Sequence, residues 1–170
     1  MTTLSDIQVL VSAGSKHGAS AEIADSIGET LAGRGFDVTV AKPEEVTDVA
    51  GYQAVVLGSA VYAGHWTDPA KDLAQRVAAA DPKPAVWLFS SGPLGDPPKP
   101  EEDPVDVSEI VEATSARGHR VFSGKIDKSK LSFGEKAIMI AVRAPEGDFR
   151  DWDEINTWTE SIADTLDTAG

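Results

Sequence analysis

The sequence contains no cysteine, and its 170 residues include only three histidines. The absence of cysteine excludes disulfides, thiolate metal sites and cysteine redox chemistry, and it is compatible with a cytoplasmic protein. His65 and His119 lie far in sequence from any cluster of acids or further histidines. We therefore expect no metal site.

Long hydrophobic runs and an excess of positive charge are also missing. The apolar runs reach strand length, well short of the roughly 20 residues that span a bilayer. The opening "MTTLSDI" lacks the basic and apolar regions of a secretory leader. Lys and Arg number 15 against 28 Asp and Glu, a net charge of −13. Such a surface repels nucleic acid and suits docking to basic partners, with simple solubility as the alternative.

The pattern of apolar residues predicts a single α/β domain over residues 1–170. Apolar and β-branched runs predict five strands, at 7–11, 36–41, 53–59, 84–90 and 119–126. Apolar residues at helical spacing predict four helices, at 19–33, 67–80, 104–117 and 151–167. Strands that alternate with helices predict a three-layer, doubly wound parallel sheet.

Two segments interrupt this alternation. Residues 93–104 contain five of the ten prolines and are predicted to form a stiff acidic loop. Residues 125–143 form an extra segment after the fifth strand, with five Lys or Arg against two Asp or Glu. This segment either guides a quinone or an anionic substrate, with at most peripheral membrane contact, or packs as a lid on the sheet edge.

The turn between the first strand and the first helix has the composition of a phosphate-binding loop. It reads "SAGSKHGAS" over residues 12–20. Glycines allow the backbone to approach a ligand closely, and the free N–H groups of the next helix favour an anion. The candidate contacts are Ser12, Ser15, Lys16, His17, Gly18 and Ser20. An ordinary strand-to-helix turn with Ser20 as a plain N-cap is the alternative.

Two further strand ends can contribute a site for a flat ring. The third strand is followed by "GSAVYAGHW" and the fourth by "SSGPLG". Aromatic and backbone groups there suit an amphipathic ring system that carries one phosphate. Trp66 is either a ring that stacks on the ligand or a cap on the neighbouring helix.

Several other chemistries are excluded by motif. The first loop matches neither GxGxxG nor GxxxxGK[ST], which disfavours dinucleotide binding and P-loop phosphoryl transfer. No serine lies in a G-x-S-x-G motif. The first and third strands end in Ser12-Ala13 and Gly58-Ser59, so the carboxylates of a phosphoacceptor domain are absent from these positions.

The sequence resembles the flavodoxin superfamily, and within it the branch that includes the menaquinone-dependent protoporphyrinogen dehydrogenases. The resemblance rests on "VLVSAGSKHGASAEIADSIGETLAGRG", "YQAVVLGSAVYAGHW" and "GDFRDWDEINTWTESIA". It implies five strands in the order 2-1-3-4-5 and non-covalently bound FMN. Ala13 stands where relatives often have an aromatic residue.

The resemblance also implies which residues contact the cofactor. It places the phosphate on the loop that includes Ser15, Lys16, His17, Gly18, Ala19 and Ser20. It places the flavin ring against Ala60, Val61, Tyr62, Gly64 and Trp66, and against Ser91, Gly92, Pro93, Leu94 and Gly95. No catalytic side chain is implied, because FMN carries the redox chemistry.

Three functions remain open from the sequence. The chain is an FMN-dependent oxidoreductase that acts on a quinone or a protoporphyrinogen-like substrate, or an electron carrier that serves redox partner proteins. The third possibility is a flavin-free domain that keeps only the fold.

Overall fold

The computed structural model describes residues 7–15, 19–62, 65–81, 83–92, 107–123, 125–126, 147–148 and 150–169. Its strands are β1 (Gln8–Gly14), β2 (Asp37–Val40), β3 (Ala54–Tyr62), β4 (His65–Trp66), β5 (Ala85–Gly92), β6 (Gly118–Ser123), β7 (Lys125–Ile126) and β8 (Gly147–Asp148). Its helices are α1 (Ala19–Gly33), α2 (Asp68–Ala78), α3 (Val107–Thr114) and α4 (Trp152–Ala169), with a short 3-10 helix at Pro43–Glu45.

Five parallel strands form the central sheet in the order β2-β1-β3-β5-β6. This is the flavodoxin-like order 2-1-3-4-5 that the sequence predicts, counted over the five long strands. The chain runs from β1 outward to β2 and then crosses back to β3 on the other side of β1. The carboxyl ends of β1 and β3 therefore flank the topological switch point, where open α/β sheets bind their ligands.

Two hydrophobic layers cover the sheet because its strands are apolar on both faces. On one face, α1 and α4 pack through residues spaced four or seven apart, such as Ile23, Ile27, Ile155 and Ile162, all fully buried. The other face is covered by α2 and α3. Between these two layers, the strands end and the helices begin at the carboxyl edge of the sheet.

An aromatic cluster fixes α4 on its face of the sheet. Phe89, Phe122 and Trp158 have ring centroids between 5.5 and 6.1 Å apart, and the two contacts of Trp158 are edge-on. Gly58 on β3 makes room for this cluster, since a Cβ there would lie 2.2 Å from the Phe89 ring. The glycine is required by close packing rather than by a turn.

The predicted boundaries differ from the structure mainly where strands end. The third and fourth predicted strands end at residues 59 and 90, whereas β3 continues to Tyr62 and β5 to Gly92. The fifth predicted strand, 119–126, is divided into β6 and the short β7, which pairs antiparallel with β8. Of the extra segment 125–143, only residues 125–126 lie within the described residues, and the loop 93–104 lies outside them.

Within the part of the chain that the structure describes, no helix is long and apolar enough to cross a membrane.

Candidate functional site

The carboxyl ends of β1, β3 and β5 lie side by side at the edge of the sheet. In the register, Gly14 is opposite Ser59, Ser59 is opposite Ser90, and Ala60 is opposite Ser91. Small residues therefore line the edge across three adjacent strands, in agreement with the three loops that the sequence singles out. This edge is the candidate functional site.

Helix α1 begins at this edge with its amino end toward the end of β1. The helix starts at Ala19, only five residues after β1 ends at Gly14. The first N–H groups of any α-helix lack an intrahelical partner, and the helix dipole makes this end favourable for an anion. Ser20 in the first turn is 2% exposed. This end of α1 can therefore hold a phosphate group.

Ser12 is a buried polar residue close to the end of β1. Its side chain is fully buried, and its Oγ has no hydrogen-bond partner among the described residues. A buried hydroxyl without a partner is unfavourable. Ser12 alternates along β1 with Val11 and Ala13, which pack under α1, so it lies on the same face as Leu10, under α2.

The segment after β3 is a tight hairpin rather than a loop. β3 continues through Val61 and Tyr62, and β4 returns antiparallel, with Val61 opposite Trp66 and Tyr62 opposite His65. Extended β-branched and aromatic residues favour this continuation over the loop that the sequence analysis predicts for 60–66. The hairpin places Thr67, the residue before α2, next to the end of β1.

Thr67, Ser59 and Gly14 meet at that point. The Thr67 N–H donates to Ser59 Oγ over 2.9 Å, and Ser59 Oγ donates to the Ala60 carbonyl over 2.8 Å. A Cβ on Gly14 would lie 2.0 Å from Thr67 Oγ1, so only glycine allows this approach. The contacts fix the start of α2 against the last residue of β1.

Trp66 packs in the core. It is 2% exposed among the residues that pack under α2, and its indole N–H donates to Ser90 Oγ over 2.8 Å. Ser90 Oγ also lies within hydrogen-bond distance of His119 Nε2, at 2.8 Å.

The structure brings some of the predicted site residues together at the edge. Ser12 lies in β1, Ser15 directly follows it, and Ala19 and Ser20 open α1. Ala60, Val61 and Tyr62 lie at the end of β3, and Ser91 and Gly92 at the end of β5. Ser91 is 4% exposed and Ala60 is 9% exposed. The predictions for Lys16, His17, Gly18, Gly64, Pro93, Leu94 and Gly95 lie outside the described residues.

An ion pair that the sequence does not predict lies beside the start of α1. Arg150 Nη1 lies 2.7 Å from Glu22 Oε2, and Glu22 is in the first turn of α1. The Arg150 side chain is 4% exposed, while that of Glu22 is 56% exposed. In the sequence, Arg150 is a single arginine among the acids of "GDFRDWDE". It lies 128 residues from Glu22 along the chain, so the sequence offers no local sign of the pair.

The fold and the carboxyl-edge site define an α/β protein of the flavodoxin-like class. A family model described as "Flavodoxin domain" matches residues 10–153. The chain therefore belongs to the flavodoxin domain family. No curated protein matches the chain.

Solved structures with this fold include both single-domain and larger proteins. A flavodoxin from the domain Archaea aligns with a TM-score of 0.64 and 15% identity, over 94% of this chain and 99% of that one. Rubredoxin oxygen:oxidoreductase from Desulfovibrio gigas aligns with a TM-score of 0.62 and 14% identity, over 94% of this chain. This chain spans only 36% of that larger protein. A Fusobacterium nucleatum flavodoxin mutant, described as bound to flavin mononucleotide, aligns with a TM-score of 0.52 and 14% identity over 71% of each chain.

Proposed function

We propose that this protein binds FMN non-covalently at the carboxyl edge of its sheet and uses it to transfer electrons. The observation that carries the proposal is the junction of β1 and α1 at the topological switch point, where the amino end of α1 begins five residues after β1 ends. Membership of the flavodoxin domain family and the fold shared with an FMN-bound flavodoxin support the same cofactor.

The chain's own residues bind and orient the cofactor in this proposal. The first turn of α1, with Ser20, receives the phosphate together with the loop that begins at Ser15. The ends of β3 and β5 border the flavin ring. FMN, when bound, supplies the redox chemistry, and the protein supplies position and electrostatics.

For the reaction, we propose turnover of a quinone or a protoporphyrinogen-like substrate. The support is the resemblance to the quinone-linked branch and the cationic segment 125–143 in an otherwise acidic chain. A second candidate is electron transfer to partner proteins without small-molecule turnover. The net charge of −13 supports this candidate, because acidic surfaces associate rapidly with basic partners at low salt.

Titration of the apoprotein with FMN tests the cofactor. We expect Ser15→Asp and Gly18→Asp to weaken FMN binding, because each adds a negative charge where the phosphate is bound. Ser26→Asp is the matched control, since it adds the same charge to α1 about two turns further along the helix. FMN affinity that is equal in all these proteins would mean that the phosphate binds elsewhere. A protein that takes up no FMN would overturn the proposal.

The reaction is tested with the FMN-loaded protein under anaerobic conditions. We expect a quinone to reoxidise the reduced protein, with the two electrons of the reduced FMN converting the quinone to its quinol. A holoprotein that reduces no quinone but exchanges electrons with a flavoprotein reductase would instead identify an electron carrier.

A further inference from the structure

Arg150 is a nearly buried cation beside the helix end that receives the phosphate. Its Nη1 atom lies 2.7 Å from Glu22 Oε2, and its guanidinium carbon lies 4.7 Å from the centre of the Trp152 ring. Glu22 belongs to the first turn of α1, whereas Trp152 is the first residue of α4 and Arg150 lies two residues before it. A residue from the far end of the sequence thus brings a positive charge to the amino end of α1.

Glu22 needs such a partner once a phosphate is bound. A carboxylate in the first turn of a helix is favourable on its own, because it complements the helix dipole. A phosphate monoester, however, adds a charge of about −1.5 to −2 at the same helix end. Glu22 is three residues beyond Ala19, which is about 4.5 Å along the helix axis. Its side chain also leans toward the amino end. An unpaired Glu22 would repel the phosphate at a distance that physiological salt screens only partly.

We propose that Arg150 is a positioning residue of the phosphate site, which acts by neutralising Glu22 and so keeps the start of α1 favourable for the phosphate of FMN. The inference rests on the proposed function, because it presupposes that FMN binds through its phosphate at residues 12–20. Arg150 makes no contact with the phosphate in this proposal.

The burial of Arg150 makes the pairing effective. The side chain is 4% exposed, so water screens its charge little, and the Trp152 ring holds the guanidinium group in place from one side. Exposed ion pairs contribute little because their side chains are mobile and screened. The ion pair with Glu22 differs from them because one of its partners is fixed.

A double-mutant cycle tests the inference. Wild type, Glu22→Gln, Arg150→Ala and the double variant are titrated with FMN and with riboflavin, which has the same ring and no phosphate. Quenching of flavin fluorescence at low ionic strength gives each affinity. We expect Arg150→Ala to weaken FMN binding about tenfold, because a charge one helical turn from the phosphate acts on it effectively at low salt. Riboflavin binding is expected to be unchanged. Glu22→Gln is expected to bind FMN at least as tightly as wild type, and the double variant to recover most of the lost affinity.

Three outcomes overturn the inference. A double variant as weak toward FMN as Arg150→Ala would mean that Arg150 does not act through Glu22. An equal loss of FMN and riboflavin would mean that Arg150 only supports the fold or the ring site. Unchanged FMN binding in Arg150→Ala would show that Glu22 needs no neutralisation. If Arg150→Ala fails to fold by circular dichroism, Arg150→Gln takes its place in the cycle.

The same experiment separates this inference from the proposed function. If wild type binds no FMN, both are wrong. If wild type binds FMN and the double variant stays as weak toward FMN as Arg150→Ala, only the role of Arg150 is wrong.

Discussion

Ser59 and Ser90 are neighbours in the sheet register, and both are fully buried. Each hydroxyl connects elements that are distant in sequence. Ser59 receives the Thr67 N–H, and Ser90 receives the Trp66 indole N–H and contacts His119. Buried polar groups are tolerated because they are hydrogen-bonded. Single hydroxyls therefore hold the β3–β4 hairpin and the start of α2 against the edge of the sheet.

We expect Ser90→Ala to lower the free energy of unfolding by about 1–3 kcal/mol, because it removes the acceptor of the buried Trp66 N–H. Urea unfolding of the apoprotein measures the change. Ser12→Ala is the matched control, since this equally buried hydroxyl has no partner among the described residues and its loss breaks no bond there. An equal loss of stability in both variants would contradict the role of the Ser90 bond.

At the scale of elements, α1 and α4 are joined at both ends of their contact. Near the carboxyl edge, Arg150 pairs with Glu22, and at the other end of α1, Arg34 pairs with Glu160 and Asp164. The hydrogen bonds that the Arg34 guanidinium donates to Asp164 and Glu160 raise the pKa of Arg34 above its ordinary value. A raised pKa for a cation means stability that is present below its unfolded-state pKa and lost only as the pH rises through the folded one. The contribution of Arg34 is therefore constant across neutral pH.

Arg34→Ala is expected to lower the free energy of unfolding only slightly, because all three side chains of this cluster are exposed to solvent that screens their charges. Urea unfolding at low and at high salt measures it. The cost is expected to shrink at about 1 M salt, where the screening length falls to about 3 Å. A cost that is the same at both salt concentrations would mean that packing of the arginine stem, rather than its charge, is what stabilises the contact.

At the scale of the whole molecule, 28 acidic residues outnumber 15 basic ones. This excess of negative charge affects every interaction of the protein with other charges. The same negative field keeps the protein soluble, repels anionic ligands and opposes the compact state through self-repulsion. A phosphate site in such a molecule depends on local positive potential. The amino end of α1 supplies this potential, and in our proposal the pair of Arg150 with Glu22 preserves it.

We expect the urea midpoint of the apoprotein to rise when the ionic strength increases from about 0.01 M to about 0.15 M, because screening weakens the self-repulsion of the net charge. The comparison is made at neutral pH, with an uncharged osmolyte at matched osmolality as the control. A midpoint that falls with salt would mean that local ion pairs such as those of Arg34 outweigh the net repulsion.

The fold predicted from the sequence is confirmed for the elements whose local pattern of apolar residues matches the residues that are buried in the structure. The continuous apolar runs of β1, β3 and β5 and the spacing of Ile23 and Ile27 in α1 require two-sided burial, which only a sheet between helices provides. The ends of β3 and β5 were misplaced, because the pairing of Tyr62 with His65 and of Gly92 with Ser123 is a property of neighbouring strands.

The sequence by itself determined the class of this protein, since the periodicity of apolar residues and the glycine-rich and serine-rich turn are local and follow from short stretches of chain. Only the tertiary structure decided which side chains meet at the edge. The Trp66 indole N–H donates to Ser90 in the core, and Arg150 forms an ion pair with Glu22. Contacts over such sequence distances arise from the winding of the chain around the sheet, and no local pattern encodes them.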